Sequence, residues 1–439
     1  MLSTRGAQAS AGAAKETEVW DVLSDLHHPT ANPAGFISLG VAENSLMHTT
    51  LRDFLHSKPL VDSSAVSLTY GSGPTGSKSV RKALSTFVNA YFKPYAAVHA
   101  SQIMATNGVS TAIEHCSWVF ANSGDGILLG RPYYRAFIPD IGLRPGVKVV
   151  GVAFGGADPL GQECVKRYEK AILAEKEKGV KVRALMLCNP HNPLGRCYSK
   201  ETVIDLMKLC QKYELHFISD EIYALSVWKN TVDKLDTLPT PFTSALSIDT
   251  AGIIDPALVH VLWGFSKDFG ANGIRLGAII SQNNPDFLRA CHTCAIYSSP
   301  SSLAENAAVA ILSDENFLAS YVQMNQERLS SAYAYAVNLL RRYDIEYRPG
   351  ANSAFFLFVN LGKKYLENRR EDTVVDPSKG EVESTVTQFI YDRLMMKKIF
   401  LVLGDAVGAE EPGWFRLVFS QDKELVEEGI RRVAEALEE

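Results

Sequence analysis

The 439-residue chain lacks three features that would assign it at once to a class of protein. It has no continuous apolar run of about 18 residues, the length that indicates a transmembrane helix. Its 44 basic and 49 acidic residues give a net charge of −5, without the basic excess typical of nucleic-acid binding. Its seven cysteines are odd in number and scattered, which favours reduced thiols in a cytoplasmic protein over a disulfide framework.

A CxxC motif and the N-terminal stretch each match a known functional pattern only in part. Cys291 and Cys294 form a CxxC motif with no second pair at zinc spacing, so we expect neither a metal site nor a redox site there. The N-terminal stretch MLSTRGAQASAGAAKE has no apolar core of a secretory signal. We interpret it as a disordered arm in preference to an organellar transit peptide.

The order of apolar runs predicts an α/β protein. Hydrophobic residues make up 46% of the chain, enough for a large core. Short apolar runs alternate with amphipathic helical stretches, which predicts a mostly parallel sheet between helices, with one antiparallel strand at the closely spaced last pair. The predicted strands are 126–134, 146–154, 182–190, 215–223, 256–265 and 275–282.

The pattern changes after residue 315. A periodic stretch at 316–343 predicts one long helix, and a strand at 353–361, a charged insertion loop at 363–381 and a last helix at 421–438 follow it. The predicted organisation is therefore an N-terminal arm with part of a small domain (1–60), a large α/β domain (61–315) and a small α+β domain (316–439).

A glycine-rich loop at 71–79 fits two phosphate-binding patterns incompletely. Gly71, Gly73 and Gly76 spell GxGxxG, but no acidic residue follows at the distance that holds a ribose. Lys78 comes one residue too late for a P-loop. A nucleotide-binding protein that uses this loop stays as the alternative from a different functional class.

The segment GFSKDFGANGIRLG, residues 264–277, places Lys267 among small and apolar residues. A desolvated lysine amine is a nucleophile that condenses with carbonyl groups. Pyridoxal 5'-phosphate is the commonest carbonyl cofactor held in this way. The sequence therefore predicts a pyridoxal-phosphate site, provided that other segments supply partners for its phosphate and its ring.

The phosphate has candidate partners in two segments. Gly108, Val109 and Ser110 open an amphipathic helix, whose N-terminus attracts a dianion. Ser266 and Arg275 flank the lysine and offer a hydroxyl and a guanidinium.

The ring has candidate partners at the ends of three predicted strands. Asp220 suits the pyridine nitrogen because a carboxylate keeps that nitrogen protonated, and Tyr223 and Asn192 suit the phenolic oxygen as donors. Tyr134 could stack on the ring face. Strand ends of an α/β sheet open onto the ligand crevice, so we expect these side chains to meet.

The same motifs resemble those of the fold-type-I pyridoxal-phosphate enzymes, in the branch with class I/II aminotransferases and 1-aminocyclopropane-1-carboxylate (ACC) synthases. The resemblance implies a mostly parallel seven-stranded sheet and spans nearly the whole chain. Its motifs are GVAENSL (40–46), NGVSTAIE (107–114), PYYRAF (132–137), NPHNPLG (189–195), SDEIYA (219–224), SKDFGANGIRLG (266–277) and EPGWFRLVF (411–419).

The resemblance also assigns roles. It implies that Lys267, Asp220 and Tyr223 are catalytic, with Lys267 as the Schiff-base lysine. It implies that Arg416 clamps the substrate carboxylate, with Glu43 and Asn192 beside the substrate. Tyr70 matches a tyrosine that reaches the phosphate of a partner subunit, which implies a homodimer with a shared site. The cofactor-binding set is then Tyr70, Gly108, Val109, Ser110, Tyr134, Asn192, Asp220, Tyr223, Ser266, Lys267 and Arg275.

Three residues depart from the family pattern. Gly264 stands where relatives often have a phosphate-binding serine, Arg135 follows the stacking tyrosine in place of proline, and His191 stands where ACC synthases tend to have serine.

The resemblance implies an aminotransferase-type reaction at Cα of an α-amino acid, through an external aldimine and a quinonoid, in fungal secondary metabolism. A carbon–sulfur lyase that eliminates at Cβ of a cysteine conjugate and an ACC synthase-like γ-elimination remain alternatives. The expected partners are an amino-acid substrate and a second copy of the chain, without nucleic acid or membrane.

Overall fold

The computed structural model describes residues 2–61, 66–235, 238–368 and 381–438. The helices of these ranges are α1 Thr4–Ser24, α2 His48–His56, α3 Lys78–Tyr91, α4 Val109–Phe120, α5 Phe137–Gly142, α6 Cys164–Glu177, α7 Lys200–Tyr213, α8 Phe265–Asp268, α9 Pro285–Ala295, α10 Ser302–Ser313, α11 Glu315–Arg342, α12 Leu361–Glu367, α13 Glu381–Met396 and α14 Lys423–Glu438. The strands are β1 Ile37–Ser38, β2 Ile103–Thr106, β3 Gly126–Gly130, β4 Lys148–Val152, β5 Val182–Cys188, β6 His216–Asp220, β7 Val259–Gly264, β8 Gly277–Ile280, β9 Glu346–Tyr347, β10 Phe356–Asn360, β11 Ile399–Phe400, β12 Val402–Leu403 and β13 Trp414–Val418.

A seven-stranded sheet in the order β2-β8-β7-β6-β5-β3-β4 forms the centre of the molecule. Strand β8 runs antiparallel to both of its neighbours, and the pairs β3/β4, β3/β5, β5/β6 and β6/β7 are parallel. The predicted mostly parallel seven-stranded sheet with one antiparallel strand is confirmed. A four-stranded sheet in the order β12-β13-β10-β9 and a parallel pair of β1 with β11 lie outside it.

The central strands are apolar because helices cover both faces of the sheet. In β5, Leu185 and Leu187 face one hydrophobic core, whereas Met186 and Cys188 face the other, as the two-residue period of a strand requires. All the predicted strands of this sheet exist, but each was predicted a few residues too long. The excess residues are strand ends and turns, where the chain leaves the sheet and carries the polar side chains of the site.

The structure confirms some of the predicted local elements and corrects others. Strand β2 was missed, because its four residues Ile103–Thr106 are too short to show a period. The long helix and the last helix are confirmed as α11 and α14. The predicted insertion loop at 363–381 overlaps α12 at its start, and residues 369–380 lie outside the described residues. The domain boundaries at 61 and 316 stay a prediction.

The prediction that the N-terminal arm is disordered was wrong, since residues Thr4–Ser24 form helix α1. The Ser3 hydroxyl caps this helix by accepting a hydrogen bond from Gly6 N at 3.1 Å. The segment is rich in alanine, the residue with the highest helix propensity. Val22, at 1% exposure, packs the end of α1 into the core.

In the described part of the chain, no helix is long and apolar enough to cross a membrane.

Candidate active site

The candidate site lies at the carboxyl edge of the central sheet. Four neighbouring parallel strands, β3, β5, β6 and β7, end at this edge, and the polypeptide then turns to present Tyr134, Asn192, Asp220 and Lys267. The N-terminus of α4 follows β2 at the same edge. The sequence prediction that the candidate side chains follow strand ends is therefore correct for these residues.

Lys267 lies half-buried in the short helix α8. Its Nζ donates a hydrogen bond to the carbonyl oxygen of Ala42 at 2.6 Å. Burial, helped by the positive charges of Arg416 and Arg275, lowers the pKa of Lys267 to about 8, against the opposite effect of Glu43 and Asp220. With this pKa the amine is half deprotonated at about pH 8, so a much larger neutral fraction is available near neutral pH than for an ordinary lysine, as a nucleophile or base requires.

Asp220 is the last residue of β6 and is 4% exposed. Its Oδ1 accepts a hydrogen bond from Ile222 N at 3.2 Å. Burial raises the pKa of this carboxyl to about 7, because a low dielectric disfavours the charged form. A cationic ring nitrogen beside it would restore the carboxylate, so the residue fits the pyridine nitrogen of pyridoxal phosphate.

Asn192 and Tyr223 are in direct contact. The Asn192 amide nitrogen donates to the Tyr223 hydroxyl at 3.4 Å, and both side chains are buried. Burial raises the pKa of Tyr223 well above its ordinary value, so the phenol stays protonated and can donate a hydrogen bond. The pair fits the phenolic oxygen of the cofactor.

The N-terminus of α4 and the guanidinium of Arg275 form a cradle for an anion. Gly108, the N-cap of α4, has a φ of 80°, and a Cβ on it would lie 2.3 Å from Nη2 of Arg275. Glycine is therefore required for the guanidinium to approach the helix N-terminus. Val109 and Ser110 begin the helix, and Ser266 lies 7% exposed beside the lysine. This donor set fits a phosphate.

The presence of glycine at position 264, in place of the serine of relatives, has a steric reason. A Cβ on Gly264 would lie 2.9 Å from the Leu276 carbonyl oxygen and 3.0 Å from a methyl carbon of Val109. The close approach of β7, β8 and α4 leaves no room for a serine. Where relatives often have a serine hydroxyl, this chain therefore has close packing of Gly264 against β8 and the first residue of α4.

Arg416 on β13 is 3% exposed. It donates from Nη2 to the Gly40 carbonyl oxygen at 2.6 Å and from Nη1 to Asn192 Oδ1 at 3.1 Å. Its Nε is buried and has no hydrogen-bond partner in the part of the chain that the structure describes. A buried cation with an unused donor fits a carboxylate.

Tyr134 and Glu43 lie within electrostatic reach of the central residues of the site. Tyr134 is half-buried with its ring edge-on to Phe137 at 5.4 Å, and burial raises its pKa to about 12. Glu43 is half-buried, and its main-chain carbonyl accepts from the Ser420 hydroxyl at 2.8 Å. Its negative charge raises the pKa of Lys267.

Tyr70 differs from the other candidates because its side chain is fully exposed in the single chain. The structure does not bring it into the site of its own chain, and its predicted role across a subunit interface stays a prediction.

Of the other two residues that depart from the family pattern, His191 is buried and Arg135 is exposed. His191 is 3% exposed, and burial together with Arg196 lowers its pKa to about 3, so it is a neutral packing residue. Its Nδ1 accepts from Leu194 N at 3.4 Å. Arg135 is exposed.

The glycine-rich loop at 71–79 is occupied by a protein carboxylate. The Ser77 hydroxyl caps α3 by accepting from Val80 N at 3.2 Å, and Glu305 Oε2 accepts from Ser77 N at 3.1 Å. An acidic side chain at the helix N-terminus opposes a phosphate there. Cys291 and Cys294 are free thiols, and the described residues contain no group of three potential metal ligands.

Sequence reasoning missed two carbonyl oxygens and one side chain. The Gly40 and Ala42 carbonyls hold Arg416 and Lys267, although only the side chain of Glu43 was considered in that segment. Asn272 donates to the same Ala42 carbonyl at 3.3 Å. Main-chain acceptors leave no signal in residue identity.

This sheet, with a lysine after β7, a buried aspartate after β6 and an anion cradle at α4, defines a fold-type-I pyridoxal-phosphate enzyme. The structure of aspartate aminotransferase from Thermus thermophilus with maleate superposes with a TM-score of 0.72 at 19% identity, over 99% of both chains. The aromatic aminotransferase from Pyrococcus horikoshii OT3 gives 0.69 at 20% identity, over 95% of this chain and 98% of that one. These likenesses show the fold.

Sequence comparison gives the family. The model of aminotransferase class I and II matches residues 34–433. The probable aminotransferase sirI of Leptosphaeria maculans is 30% identical over 423 residues, 95% of each chain. The probable aminotransferase aclI of Aspergillus oryzae (strain ATCC 42149 / RIB 40) is 32% identical over 403 residues, 91% of this chain and 90% of that one. The 1-aminocyclopropane-1-carboxylate synthase-like protein 1 of Takifugu rubripes is 28% identical, over 94% of this chain and 64% of its own length. The chain belongs to the class I and II aminotransferase family and is a pyridoxal-phosphate-dependent enzyme.

Proposed function

We propose that the protein is an aminotransferase that accepts an α-amino acid, with Lys267 as the cofactor-binding lysine and general base. The observation that carries the proposal is the chain of contacts from Arg416 through Asn192 to Tyr223, with the Lys267 amine held beside it. A carboxylate clamp and a nearby base are both needed for reaction at Cα.

The residues divide the work between binding and proton transfer. Arg416 and Asn192 bind the substrate carboxylate, and this fixes the Cα–H bond relative to Lys267. Once displaced from the cofactor, Lys267 accepts the Cα proton, a step favoured by its pKa of about 8. Pyridoxal phosphate, when bound, supplies the electron-withdrawing ring that accepts the electron pair left at Cα. Asp220 carries the charge that keeps the ring nitrogen protonated.

Single-turnover chemistry tests the reaction type. The cofactor-loaded protein is mixed with single amino acids, S-conjugates of cysteine or S-adenosylmethionine, and the cofactor spectrum, ammonia and free thiol are followed. An aminotransferase converts the cofactor to its amino form and releases a keto acid without ammonia. Ammonia, pyruvate and thiol with an unchanged cofactor would establish the β-elimination that the sequence left open. Formation of ACC from S-adenosylmethionine would establish γ-elimination. Lys267→Arg is the inactive control.

We further propose a homodimer in which Tyr70 completes the phosphate site of the partner subunit. The full exposure of Tyr70, with Leu68 at 71% and Tyr297 at 82% exposure, supports a surface that a second copy covers. The test mixes inactive Tyr70→Ala subunits with inactive Lys267→Ala subunits. If Tyr70 acts across the interface, hybrid dimers regain one intact site and activity returns. If Tyr70 acts within its own subunit, mixing restores nothing.

The biosynthetic role in secondary metabolism and the cytoplasmic location stay predictions.

A further inference from the structure

The main chain after Lys267 is held by side chains at three consecutive carbonyl oxygens. His48 Nε2 contacts Gly270 O at 2.9 Å, the Tyr321 hydroxyl donates to Phe269 O at 2.8 Å, and Asn325 Nδ2 donates to Asp268 O at 3.5 Å. The short helix α8 ends here, where its last carbonyls have no partners within the helix. We call residues 267–270 the lysine turn.

Two of these three side chains come from one face of α11. Tyr321 and Asn325 are four residues apart, so they lie on the same side of the helix. Each is 1% exposed. The Tyr321 ring also stacks on the ring of Phe269, with the centroids 5.1 Å apart. A single helix face thus covers the lysine turn.

The orientation of the Asn325 amide is fixed from the N-terminal segment. Asn44, fully buried, donates from Nδ2 to Asn325 Oδ1 at 2.8 Å, which leaves the Asn325 amide nitrogen facing Asp268. The same segment supplies Gly40 O to Arg416 and Ala42 O to Lys267. Alternate residues of 40–44 therefore contact the carboxylate clamp, the amine and α11.

Helix α11 also joins the two hydrophobic cores of the molecule. Leu318 and Tyr321 lie in the core that contains β7 and β8 residues such as Val261 and Ile280. From Leu329 onward its buried residues lie in the core that contains β10 and β13. The helix that holds the lysine turn is thus packed against the sheet that carries Arg416.

We propose that Tyr321 and Asn325 are positioning residues, which hold the lysine turn so that the Lys267 amine stays dry and at a fixed distance from Arg416. The inference rests on the proposed role of Lys267. If either hydrogen bond is lost, the turn loosens and water reaches the amine.

The expected effect is a rise in the pKa of Lys267 toward its ordinary value, since desolvation is the main cause that lowers it. The charged and titratable groups that act on or are affected by this amine are Arg416, Glu43, Arg275, Asp220 and Cys188. Two more titratable groups belong to or contact the lysine turn: Asp268, whose pKa burial raises to about 7, and His48 at Gly270 O. The change Tyr321→Phe leaves all of them in place and keeps the stacked ring. A shift can therefore be assigned to the turn.

Tyr321→Phe is compared with Tyr333→Phe, a matched control on the same helix. Tyr333 is buried and donates to Asp233 at 2.6 Å, away from the lysine turn. Two pH titrations report on the nitrogen of Lys267. The rate at which the apoprotein takes up pyridoxal phosphate follows protonation of the free amine, and the absorption of the lysine-linked cofactor follows protonation of the imine nitrogen, whose cationic form water also stabilises. Each unit of increase in pKa lowers the neutral fraction of the amine, and hence uptake at pH 7, about tenfold. We expect both titrations to shift to higher pH in Tyr321→Phe and to stay unchanged in Tyr333→Phe.

Asn325→Leu is the second variant, because it removes the donor to Asp268 O, together with the acceptor for Asn44, without adding a charge near the amine. A shift in the same direction supports the proposal. Unchanged titrations in both folded variants, or an equal shift in Tyr333→Phe, would overturn it. Borohydride reduction and peptide mass spectrometry separate this failure from failure of the proposed function: cofactor on a lysine other than Lys267 overturns both, whereas cofactor on Lys267 with no shift overturns only this inference.

Discussion

Replacing Arg416 by lysine tests the carboxylate clamp while keeping the positive charge. The guanidinium is buried and already donates to Gly40 O and Asn192 Oδ1. Arginine can donate two parallel hydrogen bonds to a carboxylate, whereas lysine binds as a point charge. A hydrogen bond to a charged group contributes about 1.5–3 kcal/mol. Losing one such bond should therefore lower kcat/KM about 10- to 150-fold.

The assay compares an α-amino acid with the corresponding amine, which lacks the carboxylate. Arg416→Lys should lower kcat/KM for the amino acid and have little effect on the amine. Arg348→Lys is the matched control, since Arg348 stacks on Trp414 of the same strand at 4.7 Å and should change neither reaction. An equal loss for both substrates would refute the clamp and point to a general disturbance of β13.

Three further predictions follow from the structure. Asp220→Asn should still bind cofactor on Lys267 but slow α-deuterium exchange of the substrate by at least about a hundredfold, equivalent to ~3 kcal/mol; exchange at the wild-type rate would contradict the role of the carboxylate. Gly264→Ser should destabilise the apoprotein to urea by about 1–3 kcal/mol through overpacking against Leu276 O and Val109, and tighter cofactor binding without loss of stability would show that the steric account is wrong. Burial lowers the pKa of His216 to about 4, and its Nδ1 lies 3.0 Å from His260 Nε2. The unfolded chain, with an ordinary histidine pKa of about 6.5, then binds the proton first as pH falls. The contribution of His216 to stability is thus fully present above the unfolded pKa of about 6.5. The free energy of unfolding in urea should decrease by roughly 3 kcal/mol between pH 7 and 4. The decrease should be smaller in His216→Gln.

Local pattern was sufficient for most of the fold. The inner strands β3, β5, β6, β7 and β8 are mostly apolar, because both of their faces are buried, and the polar residues that follow them are conspicuous. The same reasoning failed for β2, which is too short to show a period, and for α1, where small residues were interpreted as disorder although Ser3 caps a helix.

The sequence by itself determined which functional groups are available and in what order: a lysine after β7, an aspartate at the end of β6, a glycine before α4 and an arginine near the C-terminus. Only the tertiary structure decided how these groups behave. The acceptor of the Lys267 amine is a carbonyl 225 residues away, and that of Arg416 is one 376 residues away. Every residue carries such a carbonyl, so residue type cannot reveal which one is used. Likewise, a lysine pKa of about 8 results from desolvation by packed segments, a property of the folded environment and not of the residue.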